Sequence, residues 1–565
     1  MSVEQTSMHQ LITDNIDIWT STVKTKSASG RGSSKKRELY GVKKLRELIL
    51  ELAVRGKLVP QDPTDEPASV LLERIAAEKA QSVKDKKISK TKKLPSLTEE
   101  EKSIDLPSGW ALCRFGDLYH LEYGDNLPKA KRSGSGEYPV YGSNGIVGTH
   151  NYFSVDEACV VIGRKGSAGA LNMSATPCWV TDVAYSVIPP AGIELDYCFL
   201  HLNTFGLDSL GKGIKPGLNR NEANVLVACI PPTAEQHRIV AKVGELMTLC
   251  DQLEQQTEAS LDAHQVLVET LLATLTNSQD VTELMANWAR ISEHFDTLFT
   301  TEDRIDQLKQ TILQLAVMGK LVPRDPTDEP AANLLERIAE EKVQLIKEKK
   351  IKNQKALPPI TDDEKPFELP NGWEWCRFGD LCKLVTSGSR GWKAYYANTG
   401  ATFIRSQDIK YDRVEFDERA YVQLPRSTEG KRTKVDVGNL LMTITGANVA
   451  KVAVVEEQME EAYVSQHVAL IKLIDSALID YLHVWLTGSM GGRGLLLQSS
   501  YGAKPGLNLQ NINELLVPLA PILELNRVVF KVRELLIICE QLKGSLKESQ
   551  TTQLHLTDAI VEQAV

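Results

Sequence analysis

Two glycine-rich stretches, "VYGSNGIVG" (140–148) and "IGRKGSAGALN" (162–172), set Tyr141, Asn144, Arg164 and Lys165 among turn-forming residues, and "GKGIKPGLNR" (211–220) adds Lys212, Lys215 and Arg220. Further along, "TSGSRGWKAYY" (386–396) offers Arg390, Trp392 and Lys393, and "FIRSQDIK" (403–410) offers Arg405 and Gln407. "EGKRTK" (429–434) holds Lys431, Arg432 and Lys434, "TITGANVAK" (443–451) holds Asn448, and "AKPGLN" (503–508) holds Lys504. These side chains suit contact with nucleic acid. Arg and Lys pair with guanine O6/N7, Asn and Gln with adenine, and Lys with backbone amides holds phosphate. Arg164 is read as a base reader and Lys215 as a phosphate contact. Only about a third to half of the set is expected to touch the nucleic acid, most of those contacts holding phosphate and a few reading bases. For any one of them the plain alternative is a solvated surface charge or a turn residue.

The elements that must carry these loops are built twice. "GKLVPQDPTDEPA" (56–68) returns as "GKLVPRDPTDEPA" (319–331), and "LPSGWALCRFGDL" (106–118) returns as "LPNGWEWCRFGDL" (369–381). "IKPGLN" (214–219) and "CDQLE" (250–254) come back as "AKPGLN" (503–508) and "CEQLK" (539–543). The flanks of the two copies match closely and their interiors do not. A duplicated frame therefore carries two different variable modules.

"LRELILELAV" and "LKQTILQLAV" space apolar residues as helices do, and the glycine that follows stops each one. Pro60, Pro63 and Pro67 keep the repeated loop out of a helix, which restarts at "ASVLLERIAAEKA". The lysine-rich "KDKKISKTKK" and "KEKKIKNQK" read as solvated linkers. Within 233–276 a three-four spacing runs through Ile239, Val243, Leu246, Cys250, Leu253, Thr257, Ser260, His264, Leu267 and Leu271. The second copy gives Val528, Val532, Leu535, Cys539, Leu542, Leu546, Ser549, Gln553, Leu556 and Ile560. So long a seam predicts a coiled coil whose partner is its own copy. His264, Cys250 and Cys539 read as packed seam residues rather than ligands or reactive thiols. Short runs such as "ACVVIG", "AYSVIP", "NLLMTI" and "HVALIKL" predict buried strands in the modules.

With 565 residues the chain exceeds a single core. Apolar content of 42% and charged content of 25% are those of a globular protein. A net charge of −9 argues against a uniformly basic coat but leaves room for a local basic groove. No apolar run is long enough for a membrane span, and the first residues do not read as a signal peptide. Nine cysteines without a C-x-x-C pair suggest a reducing, cytoplasmic setting and no zinc site. No G-x-x-x-x-G-K-[ST] loop is present. The Pro-Pro pairs ("IPPAG", "IPPTA", "LPPIT") lack the Asn/Asp-Pro-Pro-aromatic context of an adenine methyltransferase.

Two unlike modules, each opening with "LP-x-GW" and ending in a proline-stopped strand before a long helix, resemble the specificity subunit of type I restriction-modification enzymes. "PPTAEQHRIV" is similar to that family's "PP-x-x-EQ" start of the spacer helix. The second copy departs from it, with Leu525 where the first has Gln236. The resemblance implies an α/β chain: two mixed α/β target-recognition domains joined by long antiparallel coiled-coil helices in a pseudo-two-fold repeat. It implies N-terminal helices, repeated loop and linker over 1–105, the first recognition domain over 106–232 and a spacer helix over 233–276. The second copy of helices, loop and linker spans 277–368, the second recognition domain 369–520 and the last spacer helix 521–565. It also implies double-stranded DNA with a bipartite site as ligand. The partners would be two methyltransferase subunits and, through them, restriction/translocase subunits. The chain itself would have no catalytic residue, no metal and no cofactor, with S-adenosylmethionine, ATP and Mg2+ on the partners. The rivals are a non-catalytic scaffold with two variable ligand-binding domains, and a stand-alone nuclease or methyltransferase.

Overall fold

A computed structural model describes residues 8–26, 36–85, 93–210, 217–389, 391–410, 412–425, 430–500 and 505–565. The chain divides into two compact units, Met1–Ser260 with Ser549–Val565, and Leu261–Glu548. Among the described residues no helix is long and apolar enough to cross a membrane.

In the first unit the apolar spacing of 45–54 yields the helix Tyr40–Val54, which buries Leu45, Leu48, Ile49 and Leu52. Gly56 then turns with φ +67°, a left-handed conformation that glycine adopts without cost. A Cβ there would also strike Pro107 and Trp110. The repeated loop leads to the helix Ala68–Lys84, which starts directly after Pro67. The short strand Ala111–Arg114 pairs antiparallel with Val227–Ile230, closing the module at its base. Inside lies a four-stranded antiparallel sheet in the order Glu122–Tyr123, Ala184–Val187, Cys159–Gly163, Leu171–Ser174. A three-stranded sheet joins Gly145–His150, Tyr138–Gly142 and Trp179–Val180, the last pair parallel. The hairpin Val23–Lys26/Lys36–Leu39 was not foreseen from the sequence.

The second unit repeats this frame. Glu374–Arg377 pairs with Leu516–Leu519. Cys382–Ser387, Val468–Leu473, Leu440–Thr443 and Val452–Val454 form a sheet with the same strand order as the first. Its second sheet has four strands, Tyr396–Ala397, Tyr421–Val422, Ala401–Ile404 and Ala462–Val464, and again ends in a parallel pair. The apolar runs read as strands are strands in both modules, and the central ones are buried along their length because both faces are covered, except at half-buried Lys472.

Matching braces tie each module to its frame. Trp110 Nε1 donates to Glu235 Oε2 at 3.1 Å, and Trp373 Nε1 to Glu524 Oε1 at 3.1 Å. Arg238 pairs with Asp65 of the repeated loop at 2.6 Å, and Arg527 with Asp328 of its second copy. Arg114 bonds Glu101 and the carbonyls of Pro95, Ser96 and Val225; Arg377 bonds Glu364 and the carbonyls of Pro358, Pro359 and Glu514. The repeated loop thus spends an aspartate on gripping the start of the long helix. Gln236 is fully buried with Oε1 unpartnered, whereas Leu525 fills the matching place with no polar atom to satisfy.

The long helices, Thr233–Asn277 and Ile522–Ala564, each contribute to both units in opposite order: 233–260 and 549–564 to the first, 261–277 and 522–548 to the second. Their buried stripes begin as the spacing predicts and then slip by one position. The first runs Ile239, Val243, Leu246, Cys250, Leu253 and Thr257, then Leu261, His264, Val268, Leu272 and Leu275, leaving Ser260 and Leu267 exposed. The second runs Val528, Val532, Leu535, Cys539, Leu542 and Leu546, then Gln550, Gln553, Thr557 and Val561, with Ser549 and Leu556 exposed. The cause is geometric. Ile239 to Leu275 takes ten steps over 36 residues, a mean spacing of 3.6, so a strict seven-residue pattern drifts off the stripe along a helix of this length. Cys250 and Cys539 are fully buried packers, and His264 is half-buried on the stripe.

Candidate nucleic-acid interface

The central strand Cys159–Gly163 delivers its loop to a crowded place. A Cβ on Gly163 would lie 2.0 Å from the Ser167 carbonyl oxygen and 2.3 Å from that of Ser143, so only glycine lets the 142–145 and 163–167 turns meet. Gly145, at φ +109°, lies beside Asn172 Oδ1. The next contact fixes the third loop. Arg164 and Lys165 N–H both donate to the Val183 carbonyl, at 2.8 and 3.1 Å, and Leu218 N–H donates to Arg164 O at 2.8 Å. Lys165 and Gly217 form an antiparallel bridge. Residues 142–145, 163–167 and 217–220 therefore share one site.

Asn144 and Lys165 are exposed there. The Arg164 guanidinium lies 4.8 Å from the Tyr123 ring centroid and 5.8 Å from that of Tyr185, and one nitrogen donates to the Asp182 carbonyl at 2.9 Å. Arg220 lies 5.0 Å from the same Tyr123 ring and donates to the Leu121 carbonyl at 3.2 Å. Tyr185 donates its hydroxyl to Leu218 O, and burial, followed by its bond to Tyr123, pushes its pKa up to about 12.

Tyr141 does not belong to this surface. It is 6% exposed, packs with Val155, Cys159, Val161 and Val180, and donates its hydroxyl to Met173 O at 3.1 Å. The strand Tyr138–Gly142 turns that side chain into the core, which overrides the loop-like look of its glycines.

The second module places its candidates differently. Trp392 is 3% exposed, stacks on Phe403 at 5.5 Å and meets Tyr463 edge-on, so it is packed in the core of the module rather than on its surface. Arg405 is held by its own turn, bonding Asp408 at 3.0 and 3.1 Å and the Glu418 carbonyl. It still borders a pocket of about 450 Å³ lined by Tyr396, Asn398, Glu418, Arg419 and Tyr421. Gln407, Arg432 and Lys434 are exposed, with Lys434 bridged through its backbone to Tyr463. Asn448 is half-buried in the turn closed by Lys451 N–H on its carbonyl. Lys212, Lys215, Arg390 and Lys504 lie outside the described residues, as do the side chains of Lys393 and Lys431.

Sequence reasoning missed Tyr123, the ring on which both arginines rest. It also missed Lys129, Lys131 and Arg132, whose guanidinium reaches the Val147 carbonyl at 3.1 Å beside the hairpin. A signal was present: "LEYGDNLPKAKR" places an aromatic residue and three basic ones on either side of a turn.

The family model described as "Type I restriction modification DNA specificity domain" matches residues 107–263. The type I restriction enzyme EcoAI specificity subunit of Escherichia coli is 40% identical over 591 residues, covering 99% of this chain and 100% of that protein. The EcoEI specificity subunit, also from Escherichia coli, is 40% identical over 603 residues with the same coverage. Among solved structures, the HsdS subunit from Thermoanaerobacter tengcongensis covers 82% of this chain and 98% of its own at 15% identity, with a TM-score of 0.40. The identity to the two Escherichia coli proteins extends over essentially the whole of each chain. The protein belongs to the specificity subunits of type I restriction-modification enzymes.

Proposed function

We propose that each variable module reads one half of a split site in double-stranded DNA, and that the long helices with their repeated loops seat two modification subunits. Restriction/translocase subunits join through these. The chain supplies sequence choice and no reacting group. Methyl transfer from S-adenosylmethionine to adenine N6, and translocation driven by ATP with Mg2+, are the work of the partners. The setting is the cytoplasm, where DNA and those partners meet.

One observation carries this proposal. The same strand order and the same braces occur in both units, while the loops at matching places differ in charge: Arg164 in one, Ile444 in the other, each accepting a bond on its carbonyl from the leucine of "KPGLN". A constant frame with exchangeable loop chemistry is what a reader of two different half-sites requires. The test is binding of the full chain to duplex DNA over a range of salt. Expected is a linear fall of log affinity with log salt, set by the number of phosphates contacted. Absent or salt-indifferent binding would remove the DNA assignment.

A further inference from the structure

We infer that Arg164 and Arg220, stacked against Tyr123, form one clamp for a phosphodiester group of the DNA backbone in the first module, rather than a pair of base readers. The inference rests on the DNA-binding proposal above and narrows it to a subsite and a ligand group.

The two guanidiniums lie 4.8 and 5.0 Å from one tyrosine ring. Two cations brought to one half-exposed ring repel each other, and an anion that joins them turns this repulsion into attraction. Among the described residues neither arginine has an ion-pair partner within salt-bridge distance. The carboxylate that feels Arg220, Glu122, is bonded at 2.8 Å to His120. The bonds that the guanidiniums donate to the Asp182 and Leu121 carbonyls occupy one donor of each, leaving the rest of a fork that matches phosphate oxygens. The ring and the carbonyls also fix two long side chains in advance, which reduces the entropy lost on binding. Exposed Lys165 adds a third positive charge at the same bridge.

The second unit shows that the frame does not need these charges. The bond of Leu218 N–H to Arg164 O has its counterpart in Leu507 N–H to Ile444 O, and the Lys165–Gly217 bridge in Thr445–Gly506. At the matching places stand Ile444 and Leu509 for the two arginines, and the cross-strand pair Tyr185–Tyr123 is answered by Ala469–Ser387. An uncharged set holds the same turn. The shared turn therefore forms without arginines at these places, and their remaining donors are available to a ligand. Anchored to carbonyls and to a ring, they present donors in a fixed direction whatever the base sequence, which is the property of a positioning contact.

The experiment uses the full-length chain as wild type, Arg164→Gln, Arg220→Gln and the double lysine variant Arg164→Lys/Arg220→Lys. Each is titrated with a duplex carrying the mapped methylation site and with a scrambled duplex of equal length, over a range of KCl. Thermal unfolding curves that match wild type exclude misfolding as the cause. Expected is that each glutamine variant weakens binding to both duplexes alike, by about fivefold at physiological salt, and flattens the log–log salt slope by about 1. The lysine variant, which keeps both charges, should retain the wild-type slope. A loss confined to the cognate duplex would make these residues base readers and overturn the clamp, as would glutamine variants with unchanged slope. A wild type that binds neither duplex would overturn the DNA assignment itself.

Discussion

Trp110 donates its indole N–H to Glu235 over 3.1 Å, and both residues are buried. The bond joins the residue just before the module's first strand to the first turn of the long helix, and Trp373 with Glu524 repeats it. Burial holds both carboxyls above the usual carboxylate range, and the indole bond works against that rise. The base of the module is thereby tied to the start of the helix.

Removing the donor leaves a buried acceptor without its partner. Trp110→Phe should cost about 1–3 kcal/mol of stability, the penalty for an orphaned buried polar group. Trp373→Phe should cost the same in the second unit. Denaturant unfolding of the full chain checks this, and a change below about 0.5 kcal/mol would remove the brace from the account.

His201 gives the first module a pH signature. It is buried, its Nδ1 lies 2.8 Å from the Tyr119 hydroxyl, and burial lowers its pKa to about 3. The unfolded chain takes up this proton near pH 6.5, whereas the folded chain does not until about pH 3. Stability from this residue is thus complete above pH 6.5 and is lost as pH falls below it, at no more than about 1.4 kcal/mol per pH unit. His201→Phe, which keeps an aromatic ring beside Tyr119 and Phe205, should remove that slope. Thermal unfolding of both proteins between pH 7 and pH 5 should show the wild type losing more.

Leu523, Phe530 and Ile537 stand seven residues apart on the second long helix and are 57%, 72% and 59% exposed. The first long helix has Ala234, Ala241 and Thr248 at the matching places. An apolar row of this kind promotes association when nothing covers it. The lone chain should self-associate as concentration rises, and Phe530→Glu should reduce that association. Light scattering decides, and a monodisperse wild type at high concentration would count against a docking role for this face.

Much of this was legible in the sequence because it rests on local rules. Prolines 60, 63 and 67 and Gly56 marked the loop, and runs such as "ACVVIG" marked buried strands. The seam was legible as far as Thr257. Beyond it a seven-residue pattern and a straight helix diverge by a position, and only the packing of Leu261 and Val268 shows which prevails. Tyr141 and Trp392 were misplaced because glycine neighbours suggest loops, while strand alternation and the Phe403–Tyr463 pocket bury them. The Arg164–Arg220–Tyr123 cluster was only half visible. Its members come from three separate segments that the sheet order Glu122–Tyr123, Ala184–Val187, Cys159–Gly163 brings together.

The most direct test of the central claim is a module exchange read by methylome sequencing. Residues 107–230 are replaced by the equivalent module of another specificity subunit, in cells that carry the complete system. Because base contacts come from loops inside each module, one half of the methylated site should change to that of the donor while the other half stays as it was. A site changed in both halves, or in neither, would contradict two independent readers on one repeated frame.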